Sequence, residues 1–474
     1  MDFLQIFTAK MMFKNIIIKI IFIFPLLSLV VIAQEDTLSF ESYLKDVIRY
    51  HPQSLTAELN TNIADANWKS ANGLFDPLLN ADYDNKYFDD KQYFQILQSN
   101  IELPTYLGLT FNAGYDFTRG VFLNPENNTP TNGLGYLGIE ANLLQGLLID
   151  ERRTASNQAE IFEGLAKNRR QIELNDLIME ASIAYFQWQA ANESQIILEE
   201  NIELAKLYFE NNLESFKLGD KPAVDTLESY LVLQDQLIML QSYQLEVVKK
   251  RNNLKNYIWD QTEPLDIDDD VNPSRIKSFD NIEMSQDSLA VVGNPIIEEK
   301  KNKRLMLLAE NELKSDKLKP KLKIKYNALT SEVNNNIPTF NMNNYKWGLN
   351  FSMPLLFRKE LGEVELNELK IKETEYDIIN KENTLLNKQL SNFESLRVLK
   401  NQLLISIENV DRYKQLLELE YQKFEIGESS VFLINKRQEK YIFSKIKVID
   451  LTVKYNIEIL YYLFLSNQLE ENFK

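Results

Sequence analysis

Residues 211–224 read NNLESFKLGDKPAV, and the decisive part is Phe216-Lys217-Leu218-Gly219-Asp220 followed by Pro222. Gly219 supplies the positive φ that a helix C-terminus favours. Pro222 suits the start of the next helix. Upstream, Leu174, Ile178, Ala181, Tyr185 and Trp188 recur at alternating steps of four and three, and the stripe resumes at Leu198, Ile202, Ala205 and Phe209. Downstream, Tyr230, Leu233, Leu237 and Leu240 continue it, with polar Gln244 before Val247. This is coiled-coil seam spacing. The stretch from 150 to 258 therefore reads as a hairpin of two long helices. Unbroken from 150 to 216, the first helix would reach roughly 100 Å at about 1.5 Å per residue. No globular core needs that reach, so the hairpin is expected to span a gap.

Composition removes whole classes of chemistry. The 474 residues include no cysteine and one histidine, His51. Disulfides, thiolate nucleophiles, histidine triads and multi-histidine metal sites are thereby excluded. A net charge of -17 disfavours nucleic acid as a partner. Lys10, Lys14 and Lys19 precede an apolar run from Ile20 to Ile32, and Val31-Ile32-Ala33 reads as a cleavage site before Gln34. Residues 1–33 are thus expected to be a signal peptide.

The plan of the chain recurs. His51-Pro52 opens a helix stopped at Phe75-Asp76-Pro77, and Asn294-Pro295 opens one that ends at Lys319-Pro320. Pro295 and Pro320 each lie 243 residues after Pro52 and Pro77, and Ala66/Ala309, Leu79/Leu322 and Tyr83/Tyr326 match at that shift. The turn returns as Phe424-Glu425-Ile426-Gly427-Glu428, 208 residues after the first. An internal duplication is expected, with about 35 extra residues in the first copy. The expected division is a signal peptide at 1–33, a first repeat at 34–260, a linker at 261–280 and a second repeat at 281–474. Strands are expected at about 78–145 and 321–356. The hairpins are expected at about 150–258 and 358–467.

Between short and long helices the period changes to two. Leu107, Leu109, Phe111, Ala113, Tyr115 and Phe117 alternate with Gly108, Thr110, Asn112, Gly114, Asp116 and Thr118. Shorter alternations start at Leu79, Ile139, Leu322 and Trp347. One apolar face and one polar face suit a membrane barrel strand; a half-buried soluble sheet alternates identically, but the expected signal peptide and the strand length favour the membrane. Segment 92–103 is less regular and reads as a possible fourth strand of the first copy; 120–132 reads as a loop. The second copy has room for two strands, joined through Asn334-Asn335-Asn336.

Asp266, Asp268, Asp269 and Asp270 fail the calcium-loop spacing, because Val271 stands where glycine is needed and Lys277 occupies the twelfth position. They read as a solvated acidic linker. His51 reads as a helix-entry residue, and Trp68, Trp188 and Trp259 as packing residues on helices. No phosphate loop, zinc motif or nucleophile elbow is present, so neither enzyme activity nor a cofactor is expected.

The signal peptide, the duplicated order of short helix, strands and long hairpin, and the Leu-Gly and Ile-Gly turns together resemble the TolC-like outer membrane efflux proteins. Asn142-Leu143-Leu144-Gln145-Gly146 and Met353-Pro354-Leu355-Leu356-Phe357 resemble that family's strand-to-helix junctions. The resemblance covers essentially the whole mature chain. It implies an α+β membrane protein: a homotrimer whose strands, four or more per chain, close one β-barrel in outer membrane lipid. The helices would continue as a periplasmic coiled-coil tunnel. The implied function is a passive duct of a tripartite efflux or type I secretion system, exporting small molecules or polypeptides. An adaptor protein and an inner membrane pump would be its partners. The alternatives are a periplasmic coiled-coil adaptor or a surface structural protein. By the same resemblance, Leu218, Gly219, Ile426 and Gly427 would be the adaptor-contacting tips. The family's entrance acids fall six and nine residues beyond the second turn, where this chain has Leu433 and Lys436. The equivalent positions after Gly219 are Asp225 and Glu228, which become the candidate entrance-lining acids.

Overall fold

The computed structural model describes residues 37–279, 293–332 and 339–473. The expected signal peptide at 1–33 and the Asn334-Asn335-Asn336 turn lie outside the described residues. In chain order come β1 (Thr37–Leu38), α1 (Phe40–Tyr50) and α2 (Pro52–Asn72), then four strands: β2 (Leu78–Phe88), β3 (Lys91–Pro104), β4 (Leu109–Arg119) and β5 (Leu134–Asn142). The first hairpin follows as α3 (Glu151–Lys217) and α4 (Ala223–Lys255). Short strands β6 (Trp259–Asp260), β7 (Glu263–Pro264) and β8 (Asn272–Pro273) lead to α5 (Pro295–Asp316), then β9 (Lys321–Thr330) and β10 (Tyr345–Ser352). The second hairpin is α6 (Arg358–Glu425) and α7 (Val431–Leu465), and α8 (Leu469–Phe473) closes the described chain.

Helices α3 and α6 have 67 and 68 residues, so each is roughly 100 Å long. Their return helices are half that length, with 33 and 35 residues. The missing half is supplied by the short helices: α2 and α5 pack on α3, α5 also packs on α6, and α4 and α7 cover α3 and α6 further along. Helix entries carry recognisable caps. His51 Nδ1 accepts the Gln53 amide at 3.2 Å, and Asn294 accepts that of Ile296 at 3.1 Å, each just before a proline at the first helical position. Such caps stabilise a helix by about 1 kcal/mol.

The principal core sits midway along α3. Ile178, Ala181, Tyr185 and Trp188 are buried there against α7 residues such as Tyr455 and Ile459. α1, α8 and residues 267–279 wrap around that level as a belt. Several of its polar groups bond across elements. The Tyr43 hydroxyl donates to the Ala181 carbonyl at 3.1 Å, that of Tyr185 to the Leu38 carbonyl at 2.7 Å, and Gln189 Nε2 to the Ser274 carbonyl at 2.6 Å. Unlike the expectation, Trp259 lies outside any helix, and Trp68 is half exposed in the single chain. Trp259 follows the last turn of α4, where its indole N–H caps the Asn256 carbonyl at 2.9 Å.

Six strands form one antiparallel sheet in the order β10-β9-β5-β4-β3-β2. The irregular segment 92–103 is therefore a strand, and four strands of the sheet precede the first hairpin while two precede the second. Directly paired residues share a face, and one row runs Tyr345, Ala328, Leu137, Ala113, Ile101, Leu79 across all six strands. The neighbouring row on the other face is mostly polar, with Lys346, Asn327, Gly138, Asn112 and Glu102, and ends on Leu78. Strands of 8 to 14 residues bracket the length of about 9–11 residues that crosses a bilayer at a tilt. No described helix is long and apolar enough to cross a membrane.

The sheet is fastened to the helices at 142–153. The Gly146 amide donates to Asp316 Oδ2 at 2.6 Å, and Arg153 holds the Gly146 and Leu147 carbonyls at 2.7 and 3.0 Å. In the second junction a non-glycine residue, Phe357, takes the left-handed conformation at φ 48°. The two junctions thus solve the same bend with different residues.

Candidate tunnel entrance at the hairpin tips

Both hairpins turn by the same hydrogen-bond pattern. In the first, the Gly219 amide bonds the Phe216 carbonyl at 3.0 Å and the Asp220 amide bonds that of Ser215 at 2.9 Å. In the second, Gly427 bonds Phe424 at 3.0 Å and Glu428 bonds Lys423 at 2.8 Å. This is the Schellman pattern, which requires a left-handed residue after the helix. Gly219 and Gly427 have φ of 83° and 79°, and no atom stands within 4 Å of where a Cβ would lie on either. Conformation alone therefore selects glycine. The preceding Leu218 and Ile426 are 73% and 70% exposed, so the tips present apolar side chains that the fold itself does not use.

The return helices start differently. Pro222 is the residue before α4, whose first turn holds Asp225. Ser430 caps α7, accepting the Leu433 amide at 3.4 Å. Asp225 and Glu228 are half-buried. Glu228 lines a groove of about 370 Å³ between α4 and α7, together with Val232, Phe432, Asn435 and Lys436. The positions nine residues beyond each turn glycine, one acidic and one basic, thus meet in a single groove. Partial burial, and then the Asp225 carboxylate, push the Glu228 carboxyl above its usual range. Lys436 donates to Glu439 at 2.7 Å.

A second set of residues, not anticipated from the sequence, ties the tips together. Lys221 Nζ donates to Asn212 Oδ1 at 2.7 Å and sits 4.3 Å from the ring centre of Phe424. Tyr208 lies 6.3 Å from the same ring, centre to centre. Burial lowers the Lys221 ammonium from its usual range, against the pull of Asp225. Within the second hairpin, Glu420 accepts from the Ser429 hydroxyl at 2.6 Å and from Arg437 Nε at 3.3 Å. The Ser429 bond, joined by Arg437, holds the Glu420 carboxyl below its usual range. Of the residues in the two turn motifs, Phe424 is the one that takes part in this network.

The acidic linker is engaged by ion pairs: Asp266 with Lys255, and Asp269 with Arg251.

No protein-family model and no curated protein matches the chain. Solved structures do. The CmeC outer membrane channel of Campylobacter jejuni superposes with a TM-score of 0.65 at 13% identity, over 90% of this chain and 86% of that one. The outer membrane protein VceC of Vibrio cholerae gives a TM-score of 0.65 at 11% identity, over 90% and 95%. The open state of the MtrE outer membrane channel of Neisseria gonorrhoeae gives 0.64 at 11%, over 90% and 89%. At such identities the likeness is one of backbone architecture, and it extends over nine-tenths of the chain. The chain therefore has the fold of the TolC-like outer membrane channels.

Proposed function

We propose that this chain is the outer membrane exit duct of a tripartite export system, assembled from three copies. The observation that carries the reading is the six-stranded sheet, apolar along one face and polar along the other, set on helices roughly 100 Å long. An open sheet of that kind has no place in lipid, because its edge N–H and C=O groups would go unsatisfied. Closure among copies removes the edges. Three copies give eighteen strands, with the apolar face toward lipid and the polar face toward an aqueous lumen. The helical hairpins would form the periplasmic tunnel wall. CmeC, MtrE and OprN are described as outer membrane channels, which supports the same location here. We further read the chain as a duplicated unit, with residues 34–260 and 281–474 as the copies.

Passage rather than reaction is the chemistry that this architecture serves. The exposed Leu218 and Ile426, each beside its turn glycine, would meet a periplasmic adaptor that links the duct to an inner membrane pump. Asp225 and Glu228, three of each in the assembly, would line the entrance and attract cations. Single channels in planar bilayers test this. The native protein should conduct with cation preference, and Asp225→Ala with Glu228→Ala should weaken that preference. The difference should fade as salt shortens the Debye length from about 30 Å at 0.01 M to about 3 Å at 1 M. Conduction with unaltered selectivity would reject the acids as an entrance filter. Absence of any conductance would reject the duct.

A further inference from the structure

The sheet's two edges are β2 and β10, and both strands expose almost every residue on both faces. Large apolar side chains are bare along one side of each, Leu79, Tyr83 and Tyr87 on β2 and Trp347, Leu349 and Phe351 on β10, while on the other side of β2 only its two end residues, Leu78 and Phe88, are apolar. Resting on the duct reading above, we propose that β10 of one copy pairs with β2 of the next copy in one specific register. That register sets Lys346 opposite Asp84, Trp347 opposite Tyr83 and Leu349 opposite Ala81.

Four physical constraints select it. All five neighbouring pairs in the sheet are antiparallel, so β10 and β2 run in opposite directions and meet as an ordinary antiparallel pair. Next, Tyr345 and Leu79 lie in the same apolar row, so odd-numbered residues face lipid on both strands. A slip of one residue would turn one strand's apolar set into the lumen, which leaves only odd-to-odd registers. Charge then removes one neighbour of the chosen register. Shifting β2 by two one way puts Lys346 against Lys86, a like-charge pair. Opposed charges across a pair contribute roughly 0.2–1 kcal/mol, and like charges cost a similar amount. Shifting it the other way runs β10 past the start of β2 onto Asp76 and Pro77, and proline has no N–H to give the ladder. In the chosen register all eight residues of β10 have partners within Leu78–Asn85.

The consequence for the assembly is that the two additional strands of the first copy are not appendages. They separate β2 from β5, and they make β2 the contact strand of the seam. Lys346 and Asp84 would then form an ion pair between copies on the lumen wall, with Trp347 on Tyr83 facing lipid.

The chain has no cysteine, so engineered thiols report without background. In the membrane-assembled full-length protein, Ala81→Cys with Leu349→Cys should crosslink copies to one another with a short thiol-reactive bridge. The pairs Tyr83→Cys with Leu349→Cys and Leu79→Cys with Leu349→Cys sit two residues off and should lose most of that yield. Independently, Lys346→Asp or Asp84→Lys should each lower the amount of assembled protein that survives detergent, and the two together should restore it. Strongest crosslinking at an off-register pair, or none in a protein that retains three copies, overturns the seam and leaves the duct standing. A double charge swap no better than either single one overturns the ion pair. A protein found as single copies overturns seam and duct together.

Discussion

Gly219 and Gly427 occupy the two turns with empty space around them, so substitution there is a pure test of backbone conformation. An alanine held at positive φ costs about 1–2 kcal/mol. Gly219→Ala should therefore loosen the tip locally rather than unfold the chain. Amide exchange at residues 215–220 should accelerate by about 5–30-fold, the equivalent of about 1–2 kcal/mol. Unchanged exchange would show that the left-handed turn is not what holds the tip. His51 marks the other limit of residue-scale reading. Its imidazole is drawn on for a helix cap, and burial, opposed by a hydrogen bond with the Asn256 backbone and by Glu180, lowers its pKa from the ordinary histidine value. A neutral ring is what an acceptor at that position requires.

At the scale of elements, most of the fold was legible because helices and strands here obey clean periods. The stripe from Leu174 to Trp188 is buried in the structure, and the strands from Leu78, Leu134, Lys321 and Tyr345 fall where alternation placed them. What escaped did so for physical reasons. β3 contains Tyr93 and Phe94 in succession and places both Phe94 and Ile96 on the mostly polar face, so its alternation is blurred although its backbone pairs on both sides. The tip network of Lys221, Asn212, Phe424 and Tyr208 joins residues far apart in sequence, and no local pattern announces such a contact. The meeting of Glu228 and Lys436 in one groove likewise depends on how the hairpins pack. The four-to-two division of strands yields an element-scale prediction. Joining Phe88 directly to Gly133 removes β3 and β4 and brings β2 beside β5 in antiparallel orientation. In the proposed three-copy barrel, with diameter following strand number, twelve strands in place of eighteen would leave about half the cross-section. Channel conductance should fall wherever the barrel contributes to resistance, with assembly retained. An unchanged conductance would mean that the extra strands do not enlarge the pore.

At the scale of the molecule, length and amphipathicity explain one another. Helices roughly 100 Å long are stable because each is covered twice along its length, by a short helix and then by its own return helix. The belt of α1, α8 and residues 267–279 sits where those partners change over, close to the most buried core. The six-stranded sheet is left with two open edge strands, β2 and β10, and a bare apolar face, which on the proposed reading lipid and further copies would cover. The central claim is that this sheet closes into a membrane barrel only when copies assemble. Its most direct test is the native mass of the full-length protein extracted in mild detergent from fractionated membranes. The account predicts a species of three copies, confined to the outer membrane fraction and reduced to one copy by heating in denaturing detergent. A single-copy protein recovered in the soluble fraction would contradict it.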